Sequence, residues 1–214
     1  MTKNLPESCK EILIAGIEKL NLSVSEQQQQ LLLNYISLLD KWNKTFNLTA
    51  IRNPEAMIKR HLLDSLSVSH YLEGVNILDV GTGPGIPGIP LAIIFPDRRF
   101  TLLDSNGKKV RFMNQAKQSL AIDNILPVQC RVEHFNPEES YDCIISRAFT
   151  SLHQMVHMTA HLVNENCMLQ AMKGVYPEPQ QQLLPESWKI VEVIKLQVPN
   201  LDEQRHLINI RKSL

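Results

Sequence analysis

The feature that most constrains this chain is the run Val80-Gly81-Thr82-Gly83-Pro84-Gly85-Ile86-Pro87-Gly88. It follows a short apolar stretch, 75–80, and leads into a segment, 86–95, of helical length and spacing. Glycine tolerates positive φ and puts no Cβ between the backbone and a neighbouring molecule. A glycine-dense strand-to-helix turn therefore suits a ligand seated at a helix N-terminus. The run predicts a βαβ unit with its binding site at the carboxyl end of the first strand.

The rest of the chain fits that unit. Beyond residue 75, apolar runs at 75–80, 100–104, 125–130, 141–146 and 167–172 alternate with amphipathic stretches at 86–95, 108–121 and 151–163. This alternation predicts a mostly parallel sheet. Two further strands, 188–198 and 206–211, are joined by a stretch short enough for an antiparallel hairpin. Residues 1–74 read as a helical cap packed on the 75–214 unit. Ser25 and Gln28 form a capping box ahead of a stripe of Leu31, Leu32, Tyr35, Ile36, Leu38, Leu39 and Trp42. Asn53 and Pro54 start another helix, which Gly74 is expected to end. Gln27 to Gln30 reads as a solvated face.

Composition removes several classes of function. Of 214 residues, 43% are apolar and 21% charged, which excludes a disordered or fibrous chain. The 22 basic residues balance the 22 acidic ones, so any nucleic-acid binding must come from a local patch. Cys9, Cys130, Cys143 and Cys167 form no Cys-x-x-Cys pair and no zinc spacing, so no metal is expected and they read as reduced, mostly buried thiols. The polar start of the chain and the lack of a long apolar run predict a cytoplasmic protein with no membrane association.

The glycine spacing alone fits two ligands, because Gly83-Pro84-Gly85-Ile86-Pro87-Gly88 also satisfies the dinucleotide pattern. Asp79 and the prolines favour S-adenosylmethionine. Asp79 lies among apolar neighbours near the strand end, where a dinucleotide offers no cation but the methionine ammonium and the sulfonium do. Pro84 and Pro87 have no N–H to give a pyrophosphate. Asp104, at the end of the second strand, either accepts from the two ribose hydroxyls or is a solvated acid before a turn. The residues that would line the cofactor are thus Asp79, Gly81, Gly83, Gly85 and Asp104.

Several further motifs occur in order: Lys41-Trp42-Asn43-Lys44 with Asn47-Leu48-Thr49, Arg60-His61-Leu62-Leu63-Asp64-Ser65, the stretch 79–90, Leu102-Leu103-Asp104-Ser105, Ser146-Arg147-Ala148-Phe149, Met172-Lys173-Gly174 and Arg205-His206-Leu207. With these the chain closely resembles, over nearly its whole length, the bacterial small-subunit ribosomal RNA methyltransferase G family, also called glucose-inhibited division protein B. The resemblance implies a class I methyltransferase fold, with a seven-stranded Rossmann-like sheet whose last strand is antiparallel. It implies methyl transfer from S-adenosyl-L-methionine, leaving S-adenosyl-L-homocysteine, to N7 of one guanine in the decoding-region loop of 16S rRNA. The substrate would be that RNA within the small ribosomal subunit or an assembly intermediate, and the enzyme a monomer. The family's cofactor contacts fall on Gly81, Ile86, Asp104, Val132, Glu133 and Arg147. Many relatives have Leu or Phe where Ile86 stands, a change of apolar packing only.

Guanine N7 presents a lone pair, so the reaction needs in-line placement and no dedicated general base. In agreement, Ser146-Arg147-Ala148-Phe149 stands where amine methyltransferases carry Asn/Asp-Pro-Pro-aromatic, and no cysteine sits in a Pro-Cys motif. Arg147 is expected to contact the cofactor, a phosphate or a surface acid. Phe149 either stacks on a flipped base or packs as a core aromatic.

A basic surface for RNA is expected around Lys41, Lys44, Arg52, Lys59 and Arg60, with Lys108, Lys109 and Arg111 either joining it or forming a solvated helix face, and Lys173 and Arg205 completing a ring. His61 and Asp64, one helical turn apart, read as a structural hydrogen-bonded pair. A methyltransferase for a small molecule or protein side chain is the nearest alternative, ahead of an inactive nucleotide-binding module and a dinucleotide oxidoreductase.

Overall fold

The computed structural model describes residues 5–147, 149, 151–175 and 184–213. Its seven strands form one sheet in the order β3-β2-β1-β4-β5-β7-β6. They are β1 (Asn76–Val80), β2 (Arg99–Asp104), β3 (Ile125–Gln129), β4 (Cys143–Ser146), β5 (Met168–Lys173), β6 (Trp188–Leu196) and β7 (Arg205–Lys212). The first five run parallel, and β7 lies antiparallel between β5 and β6. The chain winds outward one way from β1 to β2 and β3, then returns to β4 on the other side. Ligands bind where this reversal opens a crevice at the carboxyl ends of the strands. Ser146 Oγ donates to Val80 O at 2.7 Å, tying the two strand ends together there.

Alternation along the strands divides the core between the two faces. Ile77, Phe100, Leu102, Cys143 and Ile145 belong to one apolar cluster, and Leu78, Val80, Leu103 and Ile144 to the other. Asp79, on the same side as Ile77 by the two-residue period, is directed toward the helices of the first cluster. These include α1 (Glu7–Lys19), α2 (Glu26–Phe46), α5 (Gly88–Ile94) and α6 (Gly107–Leu120). Helix α7 (Leu152–Thr159) covers the opposite face.

The capping box predicted at Ser25 and Gln28 is present. The glutamine run is more than a solvated face, because Gln28 Nε2 also donates to Ile93 O and Ile94 O, the open carbonyls at the end of α5. Tyr35 is fully buried, 6.0 Å from the Phe112 ring of α6, and its hydroxyl donates to Pro84 O at 2.9 Å. Trp42 is partly buried against Phe46 and Phe112.

Asn53 caps α3 (Pro54–Met57) through Ala56 N, as its position before Pro54 predicts. The helix does not run evenly to Gly74. It widens into a π turn over Ile58–Leu63, resumes as α4 (Asp64–Leu66), and gives way to a 3-10 turn at Ser69–Tyr71. Within the π turn, Asp64 N–H bonds Lys59 O and His61 O, and Arg60 O accepts from Arg147 instead. Gly74 lies beyond these turns at φ +76, where a Cβ would meet Asp142 at 2.1 Å.

The Tyr35 hydroxyl couples α2 directly to the glycine turn. Tyr35→Phe leaves Pro84 O without its donor and is expected to cost about 1–3 kcal/mol. Urea unfolding should show a lower midpoint at unchanged m-value.

Candidate functional site

The glycine turn folds back on itself through its own N–H groups. Gly81 N and Thr82 N donate to Leu103 O, Gly85 N and Ile86 N to Thr82 O, and Ile89 N to Gly85 O. Gly83 N donates to Asp104 at 2.9 Å and Gly88 N to Asp79 at 2.8 Å. Pro84 and Pro87 have no N–H. Every N–H from Gly81 to Ile89 therefore has an acceptor within the chain, and none is left to cradle a pyrophosphate. Gly81, Gly83 and Gly85 all take positive φ, at 67°, 65° and 96°. At Gly88 the demand is space, since a Cβ would lie 2.2 Å from Leu102 and 2.9 Å from Asp79.

Asp79 is wholly buried. Its Oδ2 accepts from Thr82 Oγ1 at 2.5 Å and from Gly88 N, whereas Oδ1 is a buried atom with no hydrogen-bond partner among the described residues. Burial pushes this carboxyl up to about 7, against the bonds from Thr82 and Gly88 and the charge of Arg147, which favour ionisation. A buried acceptor without a donor is costly, and this oxygen calls for a donor, a cation or a proton of its own.

Asp104 takes Asn106 N on Oδ1 at 2.8 Å and Gly83 N on Oδ2, with Lys109 Nζ at 3.5 Å. A carboxylate offers about four acceptor positions, so one remains, and Lys109 holds another only loosely. Ile86 is buried beside this turn. Val132 packs in a cluster with Val80 and Leu103, and Glu133 follows it, exposed, on a 3-10 turn after β3. The sequence-predicted cofactor residues from Asp79 to Glu133 thus gather at the carboxyl ends of β1, β2 and β3.

Arg147, at the end of β4, faces a second space. It lines a cavity of about 450 Å³ with Arg60, His61, Asp64, Phe149, Lys173 and Arg205. Arg147 donates to Asp64 Oδ2 at 2.7 Å, and Arg205 Nε donates to Asp64 Oδ1 at 2.9 Å. Arg205 and Arg60 both continue to Glu203. Lys173 Nζ donates to Phe149 O, and burial lowers its pKa.

Asp64 was expected to pair with His61. Its partners are the two arginines instead, and His61 Nε2 bonds Thr49 Oγ1 at 2.9 Å. Burial, then the Arg147 charge, lowers the His61 pKa to about 4, so the ring is neutral near pH 7. The π turn sets this arrangement, and no local sequence pattern announces it. Asp64 reaches partners 83 and 141 residues away, which explains why spacing within its own helix gave the wrong partner.

The basic surface expected from 41 to 61 divides. Arg60, Lys173 and Arg205 line the cavity with Arg147 and Phe149. Lys41 borders a separate cleft between α2 and α6, and Lys44 pairs with Asp40 four residues earlier. Arg52 bonds Asn43 O and Asn47 Oδ1, closing the turn in which buried Asn43 also holds Thr49 N and Ile51 O. Ala148 lies outside the described residues.

The strand order, the antiparallel β7 and a glycine turn with a buried acid at the end of β1 define a class I methyltransferase. Solved structures share the fold. The mitomycin 7-O-methyltransferase MmcR matches with a TM-score of 0.59 at 13% identity, over 96% of this chain and 67% of that one. A SAM dependent methyltransferase from Aquifex aeolicus matches at 0.54 and 13%, over 73% and 93%. The model of the family described as rRNA small subunit methyltransferase G matches residues 28–208. Ribosomal RNA small subunit methyltransferase G of Alteromonas mediterranea is 49% identical over 202 residues, 94% of this chain and 96% of the relative. That of Vibrio cholerae is 50% identical over 197 residues, 92% and 94%. This chain belongs to the rRNA small subunit methyltransferase G family.

Because the Asp79 pKa is raised on folding, the folded protein holds a proton between about 4 and about 7 that the unfolded chain releases. The resulting stabilisation is present below about 4 and is lost as pH rises through about 7. Asp79→Asn should remove this dependence. Relative to the wild type, the variant's urea midpoint is expected to be higher at pH 8 than at pH 5, and a constant difference would disprove it.

Proposed function

We propose that this member of the family transfers the sulfonium methyl of S-adenosylmethionine to N7 of one guanine in 16S rRNA, acting as a cytoplasmic monomer on the small subunit or an assembly intermediate. Methyl transfer and the 16S target go with family membership. The cofactor reading is carried by one observation, the buried and unpartnered Oδ1 of Asp79 beside a turn with no N–H to spare. A methionine ammonium supplies the donor that Oδ1 lacks, and a pyrophosphate would find none of its own.

In this reading the remaining acceptor position of Asp104 takes a ribose hydroxyl, and Val132 and Glu133 flank the adenine. Gly81, Gly83, Gly85 and Ile86 shape the floor. The cofactor supplies an electrophilic methyl, and the protein's contribution is placement. Guanine N7 attacks with its own lone pair, so the cavity needs donors and a stacking surface more than a base. Phe149 packs against the second apolar cluster as a core aromatic would, and its partly exposed face at the cavity wall is the surface against which an extruded base fits in this reading. Arg60, Lys173 and Arg205 provide cationic surface for the RNA backbone. Among the described residues no helix is long and apolar enough to cross a membrane.

A strain lacking the gene should lose one N7-methylguanosine from 16S rRNA, read by nucleoside mass spectrometry, and an unchanged pattern would sink the assignment. Asp104→Ala should weaken S-adenosylmethionine by about tenfold or more in calorimetry with the fold retained, from loss of a charged hydrogen bond. Unaltered affinity would remove Asp104 from the site.

A further inference from the structure

We infer that Arg60 and Arg205 form a two-guanidinium phosphate subsite at the mouth of the cavity, and that Glu203 occupies it as an internal stand-in which a backbone phosphate of the RNA must displace. This rests on the RNA reading above and adds the position, the ligand group and the competitor.

The two guanidiniums converge on one carboxylate from distant parts of the chain. Arg60 Nη1 donates to Glu203 Oε2 at 3.0 Å while its Nη2 bonds Oε1, a two-point fork. Arg205 Nη2 donates to the same Oε2 at 3.0 Å. The fork that matches a carboxylate in this way matches two phosphate oxygens equally well.

Arg205 is aimed independently of Glu203. Its Nε is held by Asp64, whose side chain is 1% exposed, and its Nη1 by Gln204 O. Only the Nη2 edge is left to face Glu203. Arg60 has Glu203 as its side-chain acceptor among the described residues, and its carbonyl is fixed by Arg147. The Arg205 guanidinium is therefore placed by a buried acid and that of Arg60 is tethered by its backbone on the π turn, and the exposed carboxylate between them is the exchangeable member.

Glu203 itself is 42% exposed, on the turn between β6 and β7. The hairpin does not require it, because the β6–β7 ladder closes at Leu196 opposite Arg205 and Leu201 N bonds Val198 O. The side chains of Arg60 and Arg205 also line the same cavity as Lys173 and Phe149. On the other flank, the cleft against Arg60 and Glu203 carries Lys59 together with Glu55 and Asp202.

Exchange has a distinct ionic signature. When phosphate replaces Glu203 in the wild type, the freed carboxylate stays nearby and offsets part of the neutralised charge. Without that carboxylate, both cations act on the RNA.

The test measures binding of unmethylated small subunits and of 16S rRNA across a salt series. The proteins are the wild type, Glu203→Gln, Arg60→Gln and the double variant, with wild-type methyl transfer recorded in parallel. Glu203→Gln should tighten binding roughly two- to fivefold at low salt, the scale of an exposed ion pair. Its log–log salt slope should steepen by up to about one. Arg60→Gln should weaken binding and flatten the slope by about one. The gain from Glu203→Gln should vanish in the Arg60→Gln background.

Weaker binding by Glu203→Gln would make the residue a support for the arginines and overturn the proposal. Unchanged binding and slope would overturn it equally. Either result with normal wild-type methyl transfer leaves the functional reading intact. Wild-type protein that neither binds nor methylates the RNA overturns both.

Discussion

The site depends on one buried carboxylate placed at the point where the sheet reverses direction. Asp79 Oδ2 gathers Thr82 Oγ1 from the middle of the glycine turn and Gly88 N from its end. With both donors on one oxygen, the turn closes into a tight loop over the strand end, and the buried Oδ1 has no donor among the described residues. Gly88 is required because the approach leaves no room for a Cβ, and Tyr35 secures the outer side of the loop through Pro84 O. The same bonds that hold the turn also use up its N–H groups. A loop with the spacing of a dinucleotide motif thereby becomes unsuited to a pyrophosphate, and a cationic amino-acid moiety is the better match.

Asp64 has a similar role at the cavity. It is nearly inaccessible, yet carries two arginines, one from the end of β4 and one from the start of β7. A buried acid with a single cation would leave lone pairs unsatisfied, and breaking such a pair exposes an uncompensated charge. Here both oxygens are used, and the π turn supplies a carbonyl for a second bond from Arg147 Nη1. The N-terminal helices are thus tied to the hairpin as well as to the sheet. The cavity wall consists of groups whose positions are set by charges behind them.

The sheet was legible in the sequence because its signals are local. Apolar runs bounded by glycine, proline and polar clusters give each strand within a residue or two, and the caps at Ser25 and Asn53 follow from side chains three residues from their targets. The glycine turn was legible for the same reason. The misreadings concern contacts made across the fold. Gln28 serves its own helix and the end of α5 together, and only the second bond is invisible to spacing. The basic count between Lys41 and Arg60 treated cations alike, although Arg52 is folded inward onto Asn43 and Asn47 and Lys44 answers Asp40. Asp64 belongs to partners 83 and 141 residues further along the chain.

These pairings also bear on the chemistry. The groups lining the cavity that could take a proton are engaged within the fold, His206 among them through Nδ1 and Gly174 O. Asp64 is held between two guanidiniums, and His61 is neutral and bonded to Thr49. Lys173, its pKa lowered by burial, donates to the carbonyl of Phe149. A site organised like this is poorly equipped to deprotonate an amine or a hydroxyl, which methyl transfer to oxygen or to an ammonium nitrogen would demand. Its lining has Phe149 on one wall and cations around the rim, which is what the proposed function asks of a pocket for a planar base. A ring nitrogen that already carries a free lone pair, such as guanine N7, is the acceptor that asks of this cavity only what its residues can give.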